Sequence, residues 1–476
     1  MATAGQNPVP MSRQTFLRGV AGVAVAAGIA GLRIPGFHTA REASPVPPAH
    51  RDGVLHSHVI TDLWHPTGKT VQPHLYGYAT GDLADGDFLL AANGAVETSA
   101  ERLTPSLIRF NTSQSTIIQK VFAKGVTQPD WTHFSRWVRY HADFLGNGGR
   151  LVFGIGPNNG NTSLTPATWA AYAKATALHF RAIGQEIRYW EVGNECDVMG
   201  VSLYSEYFNQ VADSLLTVNQ AYLVGGPVAS YWNGIDLRAF SKLSGTRLGF
   251  IDFHSYTVLG TDTTQKAFTR ASSFYDIINA RHAVAGTVAA KLPIGLLEYN
   301  MNGSPHPNGT YGVPAQGTIT GAVYIALLLA RAFDSDPHFT MGGLWDLVTD
   351  SYYGAIANAA QNLSYRRIDE QGWYLRQAAR LMPGQQARTV ITGSDLQALV
   401  TATNLRFSLQ LVNSSLDQEQ SVATTVTGRQ PGSTVERWEL SARYPSGHIS
   451  TTTSLGQVLL PPQSIVILNG KRHLRK

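Results

Sequence analysis

From residue 74 onward the sequence alternates short apolar runs with longer amphipathic segments, and this alternation limits the folds that the chain can adopt. Such a pattern is typical of βα units, which place their strands side by side in a parallel sheet. The apolar runs occupy residues 74–80, 106–111, 150–156, 187–195, 221–226, 249–257, 292–300 and 338–345. Eight strand–helix repeats in about 300 residues have the size and rhythm of a (β/α)8 barrel. We therefore predict an α/β fold with a TIM barrel over residues 74–383.

After residue 383 the pattern changes to short β-rich runs that are separated by turn residues. Residues 406–412 show the alternation of a half-buried strand, because Phe407, Leu409 and Leu411 are separated by polar residues. We predict a C-terminal antiparallel β-sandwich over residues 384–476. Residues 41–73 form a linker, and within them the segment 53–60 is a candidate extra strand of the sandwich.

Residues 1–40 have the features of an export signal. A basic segment is followed by an Ala/Gly/Val run over residues 20–32, which is as long as a signal-peptide core and too short to span a bilayer. The segment resembles a twin-arginine signal with Gln14 at the second arginine position, and an ordinary export signal is the alternative. We predict an exported protein, periplasmic or extracellular, without a membrane span in the mature chain.

The composition excludes several other kinds of protein. Cys196 is the single cysteine, so the chain forms no intramolecular disulfide, and a buried small residue is a simpler interpretation of it than a nucleophile. No metal-spaced His/Cys cluster, phosphate-binding Gly loop or RNA-binding aromatic pair occurs in the sequence. The net charge is +5, and part of it lies in the basic end at residues 471–476, which we interpret as a solvated tail. We predict no metal, no cofactor and no nucleic-acid partner; the oligomeric state is left open.

Polar and aromatic residues gather at the ends of the predicted strands. The carboxyl ends of all strands in a (β/α)8 barrel meet at one face, which is where active sites of this fold lie. A chain that needed only a packed core would have no reason to place such residues there, so we predict a site at that face. Its candidate residues are Arg109, Asn158, Asn194, Glu195, His254, Tyr256, Glu298, Asn300 and Trp345.

Glu195 and Glu298 end two separate predicted strands and form a candidate catalytic pair. Hydrolysis of a glycosidic bond requires one carboxyl group to protonate the leaving oxygen and a second to attack, or to activate water. Glu195 suits the acid/base role and Glu298 suits the nucleophile. Arg109 and the Tyr256 hydroxyl are placed to support the charge of Glu298.

The remaining candidates suit the binding of a carbohydrate substrate. Asn194 is a donor for the sugar hydroxyl next to the anomeric carbon, where a contact strengthens as the transition state forms. Trp345 offers a flat apolar face for a sugar ring. Asn158, Asn300 and His254 are candidate partners for other sugar hydroxyls.

The segment Trp-Glu-Val-Gly-Asn-Glu that ends at Glu195, together with Glu298 in Leu-Leu-Glu-Tyr-Asn, resembles the clan A glycoside hydrolases. In that clan Asn-Glu ends the fourth strand of a (β/α)8 barrel and the nucleophile ends the seventh. The resemblance covers about residues 74–383, and Arg109 and Tyr256 fall where the clan keeps helpers of the nucleophile. It implies a retaining double displacement, and the C-terminal region further resembles the domain appended in families 39, 51, 30 and 79.

Several activities stay open within this resemblance. Glu-Tyr-Asn after the seventh strand is similar to the β-xylosidase and α-L-arabinofuranosidase exo-enzymes of families 39 and 51, which is the activity we favour. Trp-Glu-Val-Gly-Asn-Glu is equally similar to the heparanase-like β-glucuronidases of family 79, and an endo-glycanase or a transglycosidase would share the same residues. Cys196 departs from the common Asn-Glu-Pro. A non-catalytic glycan-binding protein on the same scaffold would be expected to lack one of the two glutamates.

Overall fold

The computed structural model describes residues 54–80, 95–111, 116–132, 145–146, 148–303, 312–347, 354–356 and 368–473. The export signal predicted for residues 1–40 lies outside these ranges and stays a prediction. Within them the chain begins with a long strand, β1 (Val54–Val71), which belongs to the second sheet described below. None of the helices in these ranges has the length and apolarity that crossing a bilayer requires.

The next eight strands close into a parallel barrel, which confirms the predicted fold class. They are β2 (Gly77–Thr80), β3 (Leu107–Asn111), β4 (Arg150–Asn158), β5 (Tyr189–Asn194), β6 (Leu223–Ala229), β7 (Leu248–Tyr256), β8 (Ile294–Asn300) and β9 (Phe339–Trp345). Closure follows from the pairing of β2 with β3 on one side and with β9 on the other. Every residue of β3 and of β8 is buried, as expected for barrel strands that are covered by helices outside and by packed side chains inside.

Helices surround the barrel. Those in the described ranges are α1 (Ala95–Leu103), α2 (Thr116–Val121), α3 (Pro166–Ala182), α4 (Gly200–Val218), α5 (Leu237–Ser244), α6 (Thr264–Ser272), α7 (Asp276–Ala283), α8 (Ile319–Ser335) and α9 (Glu370–Leu381). Helix α8 is buried on nearly all sides, because it lies between the barrel and the second sheet. The Thr320 hydroxyl donates to Gln463 Oε1 at 2.6 Å across this boundary. The long apolar run of α8 is therefore an interior helix.

The second region is one nine-stranded sheet in the order β15-β14-β17-β12-β11-β10-β1-β13-β16. Its other strands are β10 (Gly384–Thr392), β11 (Leu396–Ala402), β12 (Arg406–Asn413), β13 (Glu419–Thr427), β14 (Val435–Ser441), β15 (Tyr444–Thr452), β16 (Gln457–Leu460) and β17 (Ser464–Lys471). Four strands, β11, β10, β1 and β13, lie between β12 and β16, yet Leu409 and Leu460 share one buried cluster. The sheet therefore curls around its own core.

Two details of this sheet differ from the predicted antiparallel sandwich. The strands form one continuous curled sheet, and β1 pairs in parallel with β13 from Val54 to Asp62. Alternation of polar and apolar residues shows which face of a strand is buried but carries no information about strand direction, so the parallel pair is invisible in the sequence. At the basic end, Arg472 donates to the Leu63 carbonyl at 2.6 Å, and the His473 amide donates to the Gly428 carbonyl at 2.8 Å. The predicted solvated tail therefore cannot begin before residue 474.

Candidate active site

Two unusual backbone conformations turn the end of β5 toward the barrel mouth. Gly193 has a φ of +82° and Glu195 a φ of +49°, and both values interrupt the alternation of side chains along the strand. The Glu195 amide donates to the Val228 carbonyl at 2.8 Å, which fixes this turn against the end of β6. A glutamate held in the left-handed region is uncommon and is a feature of sites whose geometry is set by their surroundings. Asn194 and Glu195 thereby reach the same site from adjacent positions.

Strands β7 and β8 bring a second group of side chains to the same mouth. His254 is opposite Glu298 in the register of the two strands, and Tyr256 is opposite Asn300. Because side chains alternate between the faces of a strand, His254 and Tyr256 point in one direction. The Tyr256 hydroxyl donates to Glu298 Oε1 at 2.8 Å.

Arg109, on β3, connects the glutamate of β8 to the residues of β5. Its Nη1 donates to Glu298 Oε2 at 2.9 Å, its Nη2 to Asn194 Oδ1 at 2.9 Å, and its Nε to Glu191 Oε2 at 2.7 Å. The side chain is fully buried. Burial works against the charge of Arg109, but the carboxylates of Glu191 and Glu298 outweigh it and raise the pKa of the guanidinium above its usual value. Arg109 is therefore a permanent cation that uses all three nitrogens to orient its neighbours.

Glu195, His254 and Glu298 each place one donor atom within 4.8 Å of the other two. His254 Nδ1 lies 3.2 Å from Glu195 Oε1 and 3.5 Å from Glu298 Oε2, so the imidazole sits between the two carboxyl groups. These donor types also suit a transition metal. However, Glu298 already accepts hydrogen bonds on both oxygens, from Tyr256 and from Arg109. Protein donors therefore already engage both oxygens of Glu298.

The two asparagines at the ends of β4 and β5 form a chain of hydrogen bonds. Asn194 accepts from Arg109 on its oxygen and donates from Nδ2 to Asn158 Oδ1 at 3.1 Å. This arrangement fixes which end of the Asn194 amide is the donor. Asn158 is half-buried at the edge of the site.

Asn300 is linked to Trp345, which ends the neighbouring strand of the barrel. Asn300 Nδ2 donates to the Trp345 carbonyl at 2.7 Å, and its Oδ1 accepts from the Met301 amide at 2.7 Å and from Gln371 Nε2 at 3.3 Å. Asn300 is fully buried, whereas Trp345 is half-buried at the end of β9. We therefore interpret Asn300 as a support for Trp345, which differs from the sugar-hydroxyl partner suggested by the sequence. The Trp345–Asp346 peptide bond is cis.

Cys196, next to Glu195, is inaccessible to solvent. Its Sγ donates to the Pro157 carbonyl at 3.2 Å, and burial raises the pKa of the thiol to about 12. A thiol that stays protonated and buried is a poor nucleophile. The structure thus places Cys196 as a packing residue of the turn that carries Glu195.

Two buried carboxyl groups belong to the site and were not among the predicted residues. Glu191 on β5 binds Arg109, and Asp252 on β7 accepts from the Leu297 amide at 3.0 Å, directly before Glu298. Both are fully buried. The signal in the sequence is a charged residue in the middle of an apolar strand, because an acid in such a position is rarely fully buried unless it is paired. Sequence reasoning gives no partner for either, since the partners lie on other strands.

Replacing Arg109 with methionine is expected to lower the free energy of unfolding by about 3–5 kcal/mol, because the change leaves buried carboxylates without their cation. Urea denaturation at neutral pH measures this loss. Arg247→Met is the matched control: Arg247 pairs with Asp213 at 2.6 Å, and both side chains are substantially exposed. An exposed pair contributes less than about 1 kcal/mol. Equal effects of the two substitutions would contradict the role assigned to Arg109.

No protein-family model and no curated protein sequence matches this chain. Its fold does match solved structures. A monomeric β-xylosidase from Caulobacter crescentus CB15 is 14% identical with a TM-score of 0.63, covering 88% of this chain and 99% of that chain. The GH51 arabinofuranosidase from Xanthomonas axonopodis pv. citri is 14% identical with a TM-score of 0.67, covering 87% and 99%. CelM2, a bifunctional glucanase-xylanase from a metagenome library, is 13% identical with a TM-score of 0.63, covering 87% and 99%. The chain shares the fold of these proteins, as its resemblance to clan A predicts.

Proposed function

We propose that the protein is a retaining glycoside hydrolase in which Glu298 is the nucleophile and Glu195 the acid/base. The observation that carries this proposal is the pair itself. Donor oxygens of Glu195 and Glu298 lie within 4.8 Å of each other, at the mouth of the barrel. Carboxyl groups about 5–5.5 Å apart serve retaining hydrolysis, whereas inverting enzymes separate them by about 6.5–9.5 Å to admit a water. The short separation supports the retaining reaction.

In the first step Glu298 attacks the anomeric carbon and Glu195 gives a proton to the departing glycosidic oxygen. The C–O bond to the leaving group breaks, and an ester bond forms between the sugar and Glu298. Arg109 and Tyr256 each bind one oxygen of Glu298, so they fix the direction in which the carboxylate faces the substrate. Holding a nucleophile in its reactive orientation removes part of the entropic barrier.

In the second step Glu195, now a carboxylate, takes a proton from water while the water oxygen attacks the anomeric carbon. The ester bond breaks and Glu298 is restored as a carboxylate. His254 contacts both glutamates, at 3.2 Å and 3.5 Å, and keeps the relative position of their carboxyl groups fixed through both steps. Asn194 is placed between Arg109 and Asn158 with a fixed donor end, which suits a contact to the sugar hydroxyl beside the anomeric carbon.

For the substrate we propose neutral pentosides, the β-xylosides and α-L-arabinofuranosides. A glucuronide would need a cation for its carboxylate. Apart from Arg150 at the start of β4, Arg109 is the only Lys or Arg in the eight barrel strands, and each of its nitrogens already binds a protein acceptor. The names of a solved β-xylosidase and a solved arabinofuranosidase of the same fold support the same choice.

A panel of aryl glycosides tests the proposal: β-xyloside, α-L-arabinofuranoside and β-glucuronide, followed by xylo-oligosaccharides. We expect hydrolysis of at least one pentoside, no hydrolysis of the glucuronide, and release of single sugars from the oligosaccharides. Cleavage of the glucuronide alone would contradict the substrate assignment. Cleavage of internal bonds in the xylo-oligosaccharides would contradict the exo mode. Binding of glycans without turnover would favour the non-catalytic alternative.

A further inference from the structure

A pair of carboxyl groups lies directly beneath the candidate catalytic residues. Glu191 uses Oε2 to accept from Arg109, and Asp252 uses Oδ1 to accept from the Leu297 amide. The other two oxygens, Glu191 Oε1 and Asp252 Oδ2, accept no donor from the described part of the protein. Both side chains are fully buried and lie around the same cation, Arg109, so they belong to one cluster of charged groups. Each carboxyl group thus has one oxygen in this buried cluster that no described donor satisfies.

Two carboxylates in one buried cluster repel each other, so the state in which both are charged has a high free energy. Glu191 and Asp252 are fully buried, so no water screens the repulsion between them. One proton between the unused oxygens removes the repulsion and supplies the missing donor, since a protonated carboxyl group gives one O–H. The same arrangement explains why neither oxygen needs another partner.

We propose that Glu191 and Asp252 share one proton and act as a positioning pair for Arg109 and Glu298. The shared proton rests on the burial of the two groups and on their two unpartnered oxygens, whereas the role in catalysis rests on the proposed function. With the proton in place, the pair carries one fewer negative charge, so the net electrostatic potential at Glu298 is more positive. Asp252 also holds the backbone at Leu297, the residue before Glu298.

The surroundings of Asp252 agree with its being the protonated partner. Burial and the neighbouring Glu191 raise the pKa of Asp252 well above its usual value, and Arg109 only partly opposes them. The groups that act on Asp252 are Glu191 from β5, Arg109 from β3, the Tyr204 hydroxyl from α4 and the Leu297 amide from β8. Tyr204 donates its hydrogen to the Val192 carbonyl, so it does not supply the missing donor.

The shared proton makes a prediction about stability and pH. An aspartate in an unfolded chain has a pKa of about 4, so the unfolded protein loses this proton at a pH where the folded protein keeps it. The contribution to stability is therefore fully present below about pH 4 and is lost as the pH rises through the raised folded-state pKa. Between the unfolded-state and the folded-state pKa of Asp252, the unfolding equilibrium constant increases about tenfold per pH unit because of this group.

Asp252→Asn tests the pair, because an asparagine keeps the acceptor for Leu297 and offers a permanent N–H to Glu191. We expect the melting temperature of Asp252→Asn to rise relative to the wild type as the pH increases from about 5 to 9. The infrared difference between wild type and variant at neutral pH should show the C=O stretch of a protonated carboxylic acid. Parallel melting profiles without this band, or an Asn variant that does not fold, would overturn the shared proton.

Asp252→Ala separates positioning from packing when its activity is compared with that of Asp252→Asn. Alanine leaves Glu191 Oε1 and the Leu297 amide without partners, and we expect kcat/KM to fall by about ten- to hundredfold. Asparagine should recover at least about tenfold of that loss. Equal losses in the two variants would overturn the positioning role. If the wild type cleaves no glycoside, the proposed function fails, while the melting and infrared measurements still decide the shared proton.

Discussion

Glu298→Ala is expected to abolish turnover of every glycoside that the wild type cleaves, by about 10⁴-fold or more, which is the scale of removing an enzyme nucleophile. The glycosyl-enzyme ester cannot form without this carboxylate, so the first step of the reaction does not occur. Steady-state kinetics on the best aryl glycoside of the panel measures the loss.

The fold of the Glu298→Ala variant must be intact for this result to be informative. Far-ultraviolet circular dichroism and the melting temperature report on it. Glu419→Ala is the control, since Glu419 is exposed at the start of β13 and should leave the kinetics unchanged. More than about one part in 10² of wild-type activity in a folded Glu298→Ala protein would contradict the assignment of the nucleophile.

Glu195→Ala is expected to lose activity selectively. A leaving group that is a poor base departs without help, whereas an alkoxide must be protonated as the bond breaks. We therefore expect a loss of about 10²–10⁴-fold on oligosaccharides, the usual contribution of a general acid, and a much smaller loss of the first step on activated aryl glycosides. A plot of log kcat/KM against the leaving-group pKa should become steeper in the variant.

Azide provides the complementary test of Glu195. In the second step the carboxylate of Glu195 activates water, and its removal leaves space beside the anomeric carbon. Azide is a nucleophile that needs no base, so it should restore turnover of activated substrates in Glu195→Ala and yield a glycosyl azide. It should not rescue Glu298→Ala by the same route with the same product configuration. A uniform loss on all substrates, without rescue, would remove Glu195 from the acid/base role.

The barrel was predictable because its strands are buried on both faces and therefore read as apolar runs between helical patterns. The meeting of Glu195 and Glu298 at one face was predictable for a related reason. In a parallel barrel, polar residues that end apolar runs meet at one face, so Glu195 and Glu298 come together although they are far apart in the chain. Arg109 and Tyr256 both contact Glu298, and their roles toward it stay predictions.

Other features depend on which strands become neighbours, and they could not be predicted. Asn300 ends a strand like the other candidates, but its amide is taken up by Trp345, Met301 and Gln371. Glu191 and Asp252 lie inside their strands, and their pairing requires β5 and β7, which flank β6 in the barrel, to direct these side chains into the same part of the interior. The parallel pair of β1 and β13 joins one segment that precedes all barrel strands in the sequence to another that follows them.

The stereochemistry of hydrolysis tests the central claim most directly. Proton NMR of the reaction, recorded within the first minutes and before mutarotation, identifies the anomer of the sugar that the enzyme releases. A double displacement through Glu298 and Glu195 inverts the anomeric carbon twice, so we expect the first product to keep the configuration of the substrate. A first product of inverted configuration would show a single displacement by water and would contradict the retaining mechanism.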